Sequence, residues 1–419
     1  MRICVYEDAL VRGLEPLALT RPVADLICGL DTLARKQARY FAAATVGHLC
    51  RSGVAGLIRG RDPLCPVNDP AWLRAAPTVL VNARWVPPPR PAAGAPYPFA
   101  DGPHLGVAGN EVAYAVLDVP QLESLTQSPE RFSRCMDEWA GTLPTRDVGG
   151  TLVSRPWELV DLNPAEIAND AGALAPAAAP PAGLAVVGPA ERLFVDPAAR
   201  IDPMVVCDTT NGPVVIGPGA VVQAFTRLEG PCAVGAGAMV FGAKVRGGTT
   251  IGPHCRVGGE VECSVLLGYA NKYHEGFLGH SYVGEWVNLA AGTHTSDLRC
   301  DYRPVTVPID GCEVGTGRMK VGAIIGDHVR TGLGVLLDCG SVIGPFAQVL
   351  PSGGFAARAV PGFHRVGSGV SKELTDVDRL MATADTVMRR RGQALTPELE
   401  AAYRAIRPRP PLVSIRRSA

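Results

Sequence analysis

The chain has 419 residues, and its 40 lysines and arginines are balanced by 40 aspartates and glutamates. That balance excludes an electrostatic case for nucleic acid or a membrane surface as partner. The length allows two or three domains with sizeable cores. Forty-eight glycines and 37 prolines beside few aromatics point to many short strands and tight turns, not to disorder.

The opening MRICVYEDALVRG has no apolar h-region, and no run of about 18 apolar residues follows, so neither a signal peptide nor a membrane span is expected. Twelve cysteines are scattered without a CxxC pair. Zinc and disulfide frameworks need tighter spacing, so reduced and mostly buried thiols in a cytoplasmic protein are the expectation.

In chain order, RICVYE reads as a buried first strand, DLICGLDTLARKQARYF has helical spacing, and TVLVNARWV (78–86) reads as a second buried strand. Such alternation predicts an α/β layer domain over residues 1–150. Residues 151–187 read as a connecting helix and linker. The helix start is placed at Asn163-Pro164, with proline at the first helical position, and APAAAPPAG follows as linker.

Residues 188–366 carry a six-residue period. Aliphatic side chains recur at Ile216, Val222, Leu228, Val234 and Val240, then at Val245, Ile251 and Val257. The run resumes at Val283 and Leu289, and again at Ile325, Thr331, Leu337, Ile343 and Val349. Neither the 3.6 period of a helix nor the 2 of a common strand fits. Hexads of this kind build a parallel β-helix: each forms one face of a triangular prism, the aliphatic residue points inward, and small residues turn the corner. Beyond Phe363 the period stops. Residues 367–419 read as a helix, SKELTDVDRLMATADTVMRR, expected to cap the open end of the prism, and then a basic, proline-rich tail.

The hexads break at GYANKYHEGFLG (268–279). A histidine there, His274, stands outside the aliphatic stack, where an imidazole can take a proton from an attacking amine near neutral pH. His280 and His294 raise a second idea, a zinc ion shared between subunits, but zinc needs convergent ligands that spacing cannot show. Each is otherwise a surface or corner histidine.

The order of α/β domain, linker and hexapeptide prism resembles the bifunctional N-acetylglucosamine-1-phosphate uridyltransferase/glucosamine-1-phosphate acetyltransferase family, in its divergent sugar-nucleotidyltransferase-like branch. The family's His-x-x-aromatic-Leu-Gly run is matched by His274, Phe277, Leu278 and Gly279, and its Val-Asn-Ile-Gly-Ala-Gly-Thr run by Val287 to Thr293. The resemblance implies a left-handed prism, His274 as general base, Asn288 and Phe277 at the sugar, and Ala291 where coenzyme A packs. Phe277 replaces the family's tyrosine, which removes one hydroxyl contact. The later Asn-Tyr pair is echoed by Asp301-Tyr302, and Lys272 and Lys244 are the candidates for holding the substrate phosphate. The resemblance also implies a homotrimer with acetyl-CoA between prisms.

In the first domain the family carries a glycine-rich loop whose backbone amides hold nucleotide phosphates. Here Arg12, Gly13 and Arg21 echo its later part, but the double-glycine loop is missing, which makes close backbone approach to phosphate harder. Asp8 is the candidate ligand for Mg2+. The implied reactions are acetyl transfer to an amino sugar phosphate and, if the first domain is active, joining of a sugar 1-phosphate to a nucleotide. The alternative is a catalytically silent sugar-nucleotide-binding or assembly scaffold.

Overall fold

In the computed structural model the described residues are 1–89, 99, 102–118, 121–122, 135–136, 138–176 and 180–406. Two compact units divide them. One comprises Met1–Leu26, Asp31–Pro156 and Thr396–Ala405; the other is built mainly from Ile27–Leu30 and Trp157–Leu395.

The first unit is built on a six-stranded sheet in the order Thr45–Leu49, Arg2–Tyr6, Val79–Asn82, Glu111–Val116, His104–Ala108, Thr145–Asp147. The first three strands are parallel and the fourth runs against them. Cys4, Tyr6, Leu80, Leu105 and Ala115 pack one face of it. The strand expected over 78–86 is two pieces, Val79–Asn82 and Trp85–Val86, because Ala83-Arg84 turns between them. The helical spacing at 25–41 is realised only over Leu33–Phe41, whose first turn is capped by the Thr32 hydroxyl accepting from the Arg35 N–H. Gly29 at φ +78° keeps the preceding residues out of the helix.

The second unit is a parallel β-solenoid. One of its faces is a nine-stranded sheet running from Leu193–Val195 to Ala359–Val360. The residues of the six-residue period are buried: Ile216, Val222, Leu228, Val234, Val240, Val245, Ile251, Val257, Val283, Leu289, Ile325, Leu337, Ile343 and Val349 form one continuous core cluster. Thr331 also points inward and is buried; its hydroxyl meets that of Thr293 (2.7 Å) and accepts the Ala290 N–H (2.9 Å). A loop carrying the hairpin Thr306–Ile309/Cys312–Gly315 interrupts the hexads, yet Tyr282 and Val283 pair directly with Ile324 and Ile325 on its far side.

A column of flat rings runs up one corner: His254, Tyr269, Trp286, His328, Phe346 and Phe363. Successive centroids lie 4.1–6.3 Å apart at interplanar angles of 9–22°. All six have positive φ, between 53° and 61°. Non-glycine residues rarely adopt that conformation, and offset ring stacking helps offset its cost.

The helix start expected at Asn163-Pro164 lies elsewhere. The helix is Pro156–Ala171, with Pro156 at its first turn and Pro164 inside it. Asn163, mid-helix, instead accepts the Gly29 N–H (2.7 Å) and donates to the Gly248 carbonyl (2.9 Å) and the Thr250 hydroxyl (3.0 Å). The C-terminal helix is shorter than 371–390: it spans Val377–Arg389 after an Asp376 cap. The edge of the last rung, His364–Gly367, is taken by the antiparallel strand Val370–Glu373, which satisfies backbone groups that a helix could not. The basic tail lies outside the described residues.

If the inward column carries the solenoid, Ile325→Ala should lower stability by about 2–4 kcal/mol. Leu336→Ala, half-exposed on a neighbouring coil, should change it by less than about 0.5 kcal/mol. Denaturant unfolding followed by far-ultraviolet circular dichroism measures both.

Candidate functional site

A cleft of about 270 Å³ opens on the solenoid, lined by Lys244, Glu260, Glu275, Phe277 and His294 with Gly242, Gly259, Gly276 and Gly292. The repeat makes this column. Lys244 pairs in register with Glu260, and Glu260 with Phe277. The Phe277 N–H then reaches His294 Nδ1 (3.1 Å) on the next coil. At the corner below, glycine is required: Gly276 has φ +143°, and a Cβ there would collide with the Thr293 carbonyl. Two carboxylates, an ammonium, an imidazole and one aromatic face therefore converge on a cavity with glycine walls.

The two histidines of the region differ in what they can do. His294 accepts a backbone N–H at Nδ1, so the neutral ring carries its proton on Nε2 and acts as a donor. Taking a second proton would cost it that bond. The ring nitrogens of His274 have no hydrogen-bond partner among the described residues. Its ring is exposed and rests edge-on against Tyr273 (4.9 Å), which packs in turn on Phe241 (4.3 Å). His274 immediately precedes cleft residues Glu275 and Gly276 in the chain.

Lys272 is placed differently from a phosphate ligand. It is buried, and its three N–H donors go to the carbonyls of Gly258 (2.9 Å), His274 (2.8 Å) and Gly276 (2.7 Å). It ties down the loop that presents His274 and leaves no donor for a ligand. Burial brings its pKa down to about 8, with Glu275 pulling the other way. Asn288 lies outside the cleft lining: its Oδ1 accepts from Asn271 (2.8 Å), and it bridges the strands of Asn271 and Arg330. The Ala291 carbonyl accepts the Gly334 N–H (2.9 Å), and Tyr302 is 68% exposed on a turn beyond Asp301. Neither joins the cleft. His280 is committed to Asp297 (Nδ1 to Oδ2, 2.7 Å). Burial opposes its charge, but Asp297 and Cys263 outweigh it and raise its pKa to about 9. No group of three His, Cys, Asp or Glu residues suited to a metal ion occurs among the described residues.

Asp8 does not fit a magnesium ligand. Its carboxylate accepts from the Arg84 guanidinium (2.7 Å), the Asn82 amide (2.9 Å) and the Leu10 N–H (3.0 Å). Burial opposes the charge of Arg84, but Asp8 and Glu111 prevail and raise its pKa. Arg21 is fully buried, and its carbonyl accepts from Arg51 (3.3 Å). Gly13 is needed for a different reason from the one expected: a Cβ there would meet the Ser154 carbonyl. Arg12 alone of the four is exposed. Sequence reasoning missed Glu7, which pairs with Arg51 (2.9 Å) and accepts the Val23 N–H (3.0 Å), pinning the loop that carries Arg21.

The fold is an α/β unit joined to a hexapeptide-repeat solenoid that bears the cleft, and the first part has a match among sugar nucleotidyltransferases. Residues 3–177 match the family described as sugar nucleotidyl transferase. A bifunctional sugar-1-phosphate nucleotidylyltransferase/acetyltransferase of Sulfurisphaera tokodaii is 40% identical over 92 residues, 22% of this chain and 23% of its own. Bifunctional protein GlmU of a Jannaschia species is 32% identical over 167 residues, 38% and 33% of the two chains. These alignments span about a quarter to a third of the length of the two relatives. Among solved structures, a hexapeptide transferase family protein of Anaplasma phagocytophilum shares 12% identity over 50% of this chain and 91% of its own. Its TM-score of 0.25 is too low to add to the solenoid seen directly.

The burial of Lys272 sets a pH dependence. Its pKa is about 8 in the folded chain against an ordinary 10.5, so between those values the unfolded chain holds the extra proton, and stability rises with pH across that window. Lys272→Met should be less stable than the parent at pH 7, having left three carbonyls without a donor. The parent's advantage should then grow by about 3 kcal/mol from below pH 8 to above pH 10. Parallel denaturant titrations would read a flat difference if burial did not depress this group.

Proposed function

We propose that the solenoid transfers an acetyl group from acetyl-CoA to the amine of an amino sugar phosphate. The observation that carries this reading is the cleft itself, where Lys244, Glu260, Glu275, Phe277 and the donor His294 meet on a hexapeptide solenoid. The relatives' names add a sugar phosphate and an acetyl group to that chemistry.

The amine must be neutral to attack a thioester. The amine enters neutral, its ammonium proton released to solvent, and as it attacks the thioester His274, with both ring nitrogens open, takes the further proton that the nitrogen sheds in this reading. His294 Nε2–H, already fixed as a donor, suits a carbonyl oxygen gaining negative charge. Lys244 faces the substrate phosphate, and Phe277 offers the sugar an apolar face. The carbon–nitrogen bond forms as the carbon–sulfur bond breaks, and His274 returns its proton to the departing sulfur, which leaves as the free thiol.

The cleft is smaller than the roughly 300–1,000 Å³ common for ligand sites. In this reading it is therefore one wall of a site completed by a second and third copy, which bring Asn288, Ala291 and Tyr302 to the sugar and coenzyme A. For the first domain we propose sugar-nucleotide binding without nucleotidyl transfer. Arg21 is buried, the glycine loop is absent, and Asp8 is spent on Arg84. Arg12 is its remaining open cation of those expected.

The test is mass-spectrometric detection of product from purified protein, acetyl-CoA and glucosamine 1-phosphate. His274→Ala should lower turnover at least ~100-fold. His294→Ala should also lower kcat but leave the pH profile in place, because it removes a donor and not the titrating base. An unchanged rate in His274→Ala would overturn the assignment of the base. No product from folded, assembled protein would overturn the substrate.

A further inference from the structure

A second column of the solenoid gathers positive charge and no negative charge. Arg256, Asn271, Asn288 and Arg330 stand in register on successive strands, about 4.8 Å apart per step. The Asn271 amide donates to Asn288 Oδ1 (2.8 Å), and the Asn288 amide hydrogens have no acceptor among the described residues. Just past the helix Val377–Arg389, Arg391 donates to the His254 carbonyl (3.2 Å), two residues before Arg256. Arg390 follows the same helix end and repels the charge of Arg330.

None of these four arginines pairs with a carboxylate among the described residues. Elsewhere on the solenoid the pattern is the opposite: Arg227, Arg246, Arg299 and Arg318 each have a carboxylate oxygen within 2.7 Å. Arg256 Nε is buried with no hydrogen-bond partner among the described residues. Burial, and then Arg390, bring the Arg330 pKa down; burial, and then Arg256, do the same for Arg391. Clustered cations that have lost water and gained no counter-charge destabilise the fold that holds them. An anion removes that cost.

We propose that Arg256, Arg330, Arg390 and Arg391, with the Asn288 amide, form a binding site for a phosphate group. Guanidinium forks match the paired oxygens of a phosphate, and its double negative charge answers several cations at once. The phosphate has two possible sources, a nucleotide-type cosubstrate or a sugar phosphate. The site shares Asn288 with the proposed acyl transfer, but binding alone decides it, so it stands or falls apart from turnover.

The experiment is calorimetric titration and thermal unfolding of the full chain with three probes: inorganic phosphate, adenosine 3′,5′-bisphosphate and glucosamine 1-phosphate. Chloride keeps the ionic strength equal throughout. We expect saturable binding of at least one probe, weakened at least tenfold in Arg330→Met and in Arg391→Met. Without a probe, Arg330→Met should unfold no earlier than the parent, since a repelled charge has been removed. Arg390→Met, at an exposed position, gives the same reading should the two half-buried variants fail to fold. Preference for the bisphosphate identifies the cosubstrate as source, and preference for the sugar phosphate identifies the substrate. Absence of saturable binding of all three probes, or equal binding by parent and variants, overturns the site.

Discussion

The constraint on which this protein rests is the inward meeting of side chains from one coil to the next. Parallel strands with in-register pairing put Val234 beside Ile251, and Leu266 beside Val283, so each apolar contact is repeated up the prism. The same register acts on the residues that point outward. Lys244, Glu260 and Phe277 fall in one vertical line, and Arg256, Asn271, Asn288 and Arg330 in another. Residues far apart in sequence thus become neighbours without any loop having to bring them together. A coil-to-coil scaffold of this sort builds sites by stacking.

The inward column is legible in the sequence because its signal is periodic and redundant: one aliphatic residue in the wrong phase would not hide the rest. Thr331 shows how far the pattern can bend, keeping its inward place by bonding Thr293. Single events are not legible in the same way. Asn163 carries the look of a helix cap, yet Pro156 starts the helix seven residues earlier, and nothing local chooses between two prolines. Lys272 looks like a phosphate ligand in sequence. Only the fold reveals that three carbonyls surround its ammonium.

Some of the candidate site is visible in the sequence as a neighbourhood but not as an assignment. Lys244 and Phe277 both line the cleft, and His274 adjoins it through Glu275, while His294 reads in sequence as a corner histidine or a zinc ligand. Its meaning depends on a backbone N–H seventeen residues away, which no spacing rule supplies. The ring column does have a sequence signature. Ile251-Gly-Pro-His254, Val283-Gly-Glu-Trp286, Ile325-Gly-Asp-His328 and Ile343-Gly-Pro-Phe346 each set an aromatic ring three places after the inward aliphatic. In the first unit, Arg84 takes the carboxylate of Asp8, the candidate metal ligand, because Arg84 is almost fully buried and must have its charge answered.

That corner of stacked rings has a consequence for how such a chain can change in length. A segment added or lost within a coil would move every later ring off the column. One removed as a whole coil, with its inward aliphatics and its ring at positive φ, would leave the stack closed above and below. The hairpin-bearing loop after Val283 illustrates the other tolerated route. It leaves the prism at a corner and returns in register, so that Trp286 and His328 still lie 6.3 Å apart across the interruption. Growth of this architecture is therefore quantised: it proceeds by complete turns or by excursions that cost the column nothing.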